Sequence, residues 1–152
     1  LRFRARRFPN SLTPSRHVTG NHYEKLLIMF ETIKIRILGK QPVPKVSNRM
    51  LDRLIQRDYQ DSHAEVKQKL NKIISATHSG KNRISAAILK LSNQDLSQID
   101  HYIEIANTDF RDVISKAEYP SASQYGFNDT NRFKMKHIYL ADWFGYSKWL
   151  SK

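Results

Sequence analysis

The stretch from Asn82 to Pro120, NRISAAILKLSNQDLSQIDHYIEIANTDFRDVISKAEYP, constrains the chain most, because three apolar stripes follow one another with helix-start signals between them. Ile84, Ala87, Ile88 and Leu91 recur at steps of three and four, the period of one helix face. Leu96, Ile99, Ile103 and Ala106 repeat the pattern, and Phe110, Val113, Ile114 and Ala117 repeat it again. Ser92 with Asp95, and Asp109 with Asp112, set side-chain acceptors ahead of the second and third stripes, where free backbone N–H groups and the positive end of the helix dipole favour them. Connections this short force neighbouring helices to pack side by side. Pro120 ends the series.

The flanks read the same way. Ser47 caps a helix running to about Tyr59, with Met50, Leu51, Leu54 and Ile55 on one side. Ser62 with Glu65 spells a capping box for a helix whose stripe is Val66, Leu70, Ile73, Ile74 and Thr77, and Gly80 supplies its end. A polar loop of about a dozen residues follows Pro120. The last helix, about 137–151, carries Tyr139, Trp143, Tyr146 and Leu150 on one stripe in spite of Gly145. The expected fold is mainly α: a single small bundle of five or six short helices over residues 47–152. Leu54, Leu70, Ile73, Ile88, Leu91, Ile99, Ile103, Val113, Ile114 and Trp143 are its expected core.

Residues 29–46 read as an amphipathic segment and a Pro-containing linker, GKQPVPKV. Ile33, Ile35 and Ile37 alternate with Lys34 and Arg36 as in a strand, whereas Phe30, Ile33 and Ile37 also share a helix face. The segment is expected to cover part of the core; the competing reading is a basic amphipathic helix on an anionic membrane. Residues 1–28 are expected to be a disordered basic arm, since the first 22 hold five arginines, two prolines and no acid. Met29 is an alternative start, which would make them a non-native extension. An organelle leader is another reading of the arm, and a nucleic-acid contact through Arg2, Arg4, Arg6, Arg7 and Arg16 is a further one.

The chain's net charge of +12 suggests a nucleic-acid partner until it is divided along the sequence. Residues 1–28 carry +5, 29–49 carry +4, 119–152 carry +3, and 50–118 carry none. The bundle is thus neutral and the excess sits at the ends. The lack of Cys excludes disulfides and thiolate chemistry and makes a reducing, cytoplasmic setting the expected one. No pair among the six histidines has helical metal-ligand spacing, and no phosphate-binding, dinucleotide, hydrolase-elbow or zincin motif occurs. No metal and no cofactor are expected.

The densest polar set is Arg83, Tyr102, Asp109, Arg111, Asp112, Glu118 and Tyr119, which three folded-back helices would bring together. Two carboxylates with an arginine and tyrosines can serve acid–base chemistry if burial separates their pKa values. The plainer assignment is helix capping, pairing of Asp112 with Lys116 one turn on, and pairing of Glu118 with a neighbouring Arg. Aromatic residues crowd the end of the chain, and Tyr125, Phe127, Phe144 and Trp149 exceed what one short helix stripe buries, which makes them the candidate interface. With the C-terminal DWFGYSKWL, the stretch from Ile84 to Pro120 resembles a type of small bacterial all-helical protein over roughly residues 47–152. That resemblance implies the fold and carries no activity with it. The function expected is a non-enzymatic helical module for protein–protein interaction with an unknown protein partner. The alternative is weak, sequence-nonspecific nucleic-acid binding through the basic ends, and small-molecule binding or catalysis at the polar set is more remote.

Overall fold

A computed structural model describes residues 19–38, 42–74, 78–126 and 134–152, without side-chain detail at 19–25, 27, 28, 38, 78 and 79. Seven α-helices and one 3-10 turn account for most of these residues, and no strand occurs among them. The centre is α4 (His78–Ser92), where every residue from Ile84 to Leu89 is buried. One amphipathic stripe cannot produce that. The small Ser85, Ala86 and Ala87 allow close approach from more than one side, and α2 (Asn48–Asp58) and α5 (Leu96–Glu118) both pack on α4. Leu91, expected as core, is only half-buried, and Leu89 is buried instead.

Two residues in left-handed geometry, Asn93 (φ 47°) and Gln94 (φ 68°), reverse the chain from α4 into α5. Asp95 is the cap of α5, accepting from Ser97 N–H at 2.9 Å and from its hydroxyl at 2.7 Å. Ser92 takes no part in that cap: it is the last residue of α4, and its hydroxyl donates to Ile88 O at 2.8 Å. The third expected helix is present as the second half of α5. Asp109 is extended there (φ −148°, ψ 101°) and accepts from Arg111 N–H at 2.9 Å, so the start signal makes a kink and not a turn. Beyond the kink Val113 and Ala117 are buried, Ile114 is half-buried, and Phe110 faces solvent.

The chain enters α2 through Ser47, whose hydroxyl accepts from Met50 N–H at 3.2 Å, and Leu54 and Ile55 are its buried pair. The capping box expected ahead of α3 (His63–Leu70) does not form. Ser62 closes the 3-10 turn Gln60–Ser62, and its side chain makes no cap bond. The turn feeds straight into the helix, which leaves Ser62 without the extended backbone a cap requires (φ −114°, ψ 17°). α3 also stops at Leu70, short of the expected stripe. Asn107 of α5 holds the turn and irregular segment that follow, donating to Lys72 O at 3.2 Å and accepting from Ile74 N–H at 2.9 Å. Ile73 is therefore buried and Ile74 exposed, and Thr77 lies outside the described residues. Gly80 ends nothing, since it sits in the first turn of α4.

Pro120 terminates α5 and opens the short α6 (Pro120–Ser123), whose first N–H groups, those of Ser121 and Ala122, donate to Asp142 of α7 (Lys136–Ser151) at 3.1 and 3.0 Å. Tyr139, Trp143, Tyr146 and Leu150 of α7 are all buried, as their stripe demands. Helix α1 (Thr19–Leu38) begins well ahead of the boundary expected at Met29 and settles the ambiguity of the isoleucines in favour of a helix. Ile35 is fully buried in a small second core with Tyr119, Ala122, Met135, Tyr139 and Trp143. Several helix ends are closed by cations from other elements: Arg53 and Arg57 of α2 donate to Leu150 O (3.0 Å) and Trp149 O (2.8 Å), Lys90 to Ala117 O (2.8 Å), and Lys136 to Arg36 O (2.9 Å).

Candidate binding surfaces

The polar set divides in two. Arg83 reaches from α4 to the end of α5 and meets Glu118 in parallel bonds of 2.7 Å from Nε to Oε1 and from Nη2 to Oε2. Glu118 is 1% exposed. Burial pushes its carboxyl up from the ordinary value, and the Arg83 bonds pull it back only in part. Burial alone would lower Arg83, yet those same bonds outweigh it and hold the guanidinium above its ordinary value. The forked geometry uses both carboxylate oxygens as acceptors, so the pair as seen is ionised. Tyr119 donates its hydroxyl to Pro42 O at 2.9 Å, and burial raises its pKa strongly. Each of these groups is committed to structure.

Arg111 and Asp109 form the second part, on the surface at the kink. Arg111 donates to Asp109 through Nε at 2.9 Å and Nη2 at 2.6 Å, and with the backbone bond these hold the Asp109 carboxyl down at about 2. Asp112 is exposed, and among the described residues no ion pair joins it to Lys116. Tyr102 packs on the main core beside His101, away from the rest. An open cleft of about 240 Å³ brings Arg83, Arg111 and Tyr119 to one place, with Pro42, Val43, Phe110 and Ile114 among its walls. None of the three carboxylates, Asp109, Asp112 and Glu118, lines it, so the acid–base pair that catalysis would need is not presented there.

The aromatic candidates do not form one surface either. Tyr125 and Phe144 are exposed, and Phe127 lies outside the described residues. Trp149 is half-buried, its ring stacked on Tyr146 at 5.7 Å and covered by the Arg57 guanidinium at 5.1 Å. It serves the end of α7.

A coherent apolar surface lies elsewhere, on α1. Leu26, Met29, Phe30, Ile33 and Ile37 are each between 42% and 65% exposed. Their spacing puts them on one face about 16 Å long, half a turn from the buried Ile35. The exposed Lys34 and Arg36 lie about a quarter-turn to either side. The signal was in LLIMFETIKIRIL, where positions 26, 30, 33 and 37 step by four, three and four. Ile35 obscured it, because three isoleucines at alternate positions imitate a strand. The five arginines named for a nucleic-acid arm lie outside the described residues, and no helix among the described residues is long and apolar enough to cross a membrane.

Among the described residues, fold and surfaces together define an all-α bundle with an exposed apolar helix face on α1. Among protein families, characterised proteins and solved structures, none matches this chain.

Proposed function

We propose that the chain is a non-catalytic helical module that docks an acidic amphipathic helix of a partner protein along the outward face of α1. The observation that supports this is the row of exposed apolar side chains from Leu26 to Ile37 on a helix already anchored on its other side by Ile35. The four-three-four step is the seam spacing that a second helix fits. Lys34 and Arg36 beside the seam favour glutamates on that second helix. They oppose a second copy of this chain, whose own cations would face them. A membrane-surface helix needs its polar face in water, whereas the reverse face of α1 is packed on the bundle.

A designed helix with leucines at heptad spacing and flanking glutamates tests the proposal. Micromolar binding that Phe30→Asp weakens about tenfold or more is expected, from loss of a central apolar anchor. Equal binding by the variant, or binding only to anionic vesicles, refutes it. The basic ends support a second reading, nonspecific nucleic-acid contact, which a steep fall of affinity with salt would reveal.

A further inference from the structure

Helices α2, α3 and α4 enclose a second cleft, of about 370 Å³, that shares no lining residue with the first. Its floor carries Asn82 and, one turn on, Ser85, which are 6% and 1% exposed. Asn82 Nδ2 donates to Val46 O at 3.2 Å and to Asn48 Oδ1 at 2.7 Å, so both amide hydrogens are used. The amide orientation is fixed as well, since turning it would set its oxygen against two acceptors. What remains is the Asn82 carbonyl oxygen. Among the described residues nothing donates to it, and nothing bonds the Ser85 hydroxyl. Among the described residues, the polar side-chain atoms sealed without a partner are the hydroxyls of Tyr59 and Tyr146 and Trp143 Nε1; the Asn82 oxygen and Ser85 Oγ are not among them, and both residues line the cleft.

The walls and the mouth add two further chemistries. Leu51 and Ile55 from α2 and Leu70 from α3 make the walls apolar. At the mouth Lys67 pairs with Asp52 at 2.7 Å, and Lys81 donates to Asn71 O at 3.0 Å. An ammonium has three donors, so each lysine retains capacity for an anion. The volume lies at the lower end of small-molecule sites, roughly 300 to 1,000 Å³, and only about 6 Å of helix separates Lys81 from Ser85.

We propose that this cleft binds a small carboxylic acid bearing an N–H or O–H donor beside an apolar body. The donor meets the Asn82 oxygen and Ser85, the apolar body lies against Leu51, Ile55 and Leu70, and the carboxylate meets Lys81 and Lys67. The proposal involves no residue of α1, so it stands or falls apart from the docking of a partner helix.

Hippurate has all three features, benzoate lacks the donor, and benzamide lacks the acid. Titration of the full chain with each, followed by two-dimensional nitrogen–proton NMR, should give saturable shifts at Lys81, Asn82 and Ser85. Hippurate should bind about tenfold more tightly than benzoate, which loses a hydrogen bond to buried groups, and severalfold more tightly than benzamide, which loses the lysine contacts at the mouth. Lys81→Gln should weaken hippurate and benzoate and spare benzamide; Ser85→Ala should weaken hippurate and benzamide and spare benzoate. Both substitutions remove polar atoms without adding volume to the core, and unchanged melting would confirm that each variant is folded. Hippurate shifts that fail to saturate, or affinities for the three solutes that stay equal or ignore both substitutions, overturn the proposal.

Discussion

The Arg83–Glu118 pair turns a candidate catalytic group into a structural one, and its energetics are open to a direct test. Arg83→Met strands a buried carboxylate and should cost about 3 to 5 kcal/mol in urea unfolding, while adding Glu118→Leu should recover most of that loss. Equal stability of the single and double variants would show that the two groups are not coupled. Asp109 offers the contrasting exposed case. Its carboxyl is held at about 2, chiefly by the Arg111 side chain, below the ordinary range of roughly 4. A depressed carboxylate contributes stability that is full above its unfolded value and lost as pH falls toward the folded one. The contribution of Asp109 should therefore be complete above roughly pH 4 and disappear toward pH 2. Carbon NMR titration should place the group there and show it rising in Arg111→Ala.

At the scale of the helix, local signals were legible where the backbone around them was unconstrained. Ser47 and Asp109 each bond an N–H as expected of a cap, Asp95 caps α5 without the expected help of Ser92, and the stripe of α7 is buried throughout. The Ser62 signal failed because a 3-10 turn took the residues it needed, and the end of α3 was invisible because Asn107, distant in sequence, determines it. The burial of α4 on several sides was equally hidden, since periodicity reports one face and α4 has neighbours on more. Of the candidate site, the Arg83–Glu118 contact could be read from helices folding back. The α1 face was legible in part, through Phe30, Ile33 and Ile37 on one helix side, while the alternating isoleucines left a strand equally open. Gly145 gives the element-scale prediction: a β-carbon there meets nothing within 4 Å, so Gly145→Ala should raise stability by about 1 kcal/mol. A lower melting temperature would show that α7 needs the glycine.

For the whole molecule, the position of its buried groups determines what can be removed. The buried side chain described on α1 is Ile35, which follows Met29. A chain beginning at Met29 keeps that buried side chain and should melt within about 2 °C of the longer one if residues 1–28 bury little; a larger fall would show that they contribute to the packed structure. Such a chain keeps Phe30, Ile33 and Ile37, so it should still bind the acidic helix, though less tightly without Leu26. The arginines of α2 that grip the end of α7 have a consequence for the order of assembly. They join positions 97 and 92 residues apart, whereas α4 and α5 meet across three residues. During synthesis the α4–α5 hairpin is free to form early, while Arg53 and Arg57 wait for carbonyls made 97 and 92 residues later. Until then the apolar side of α2 lacks its final clamp, and across that interval the growing chain is open to chaperones and proteases.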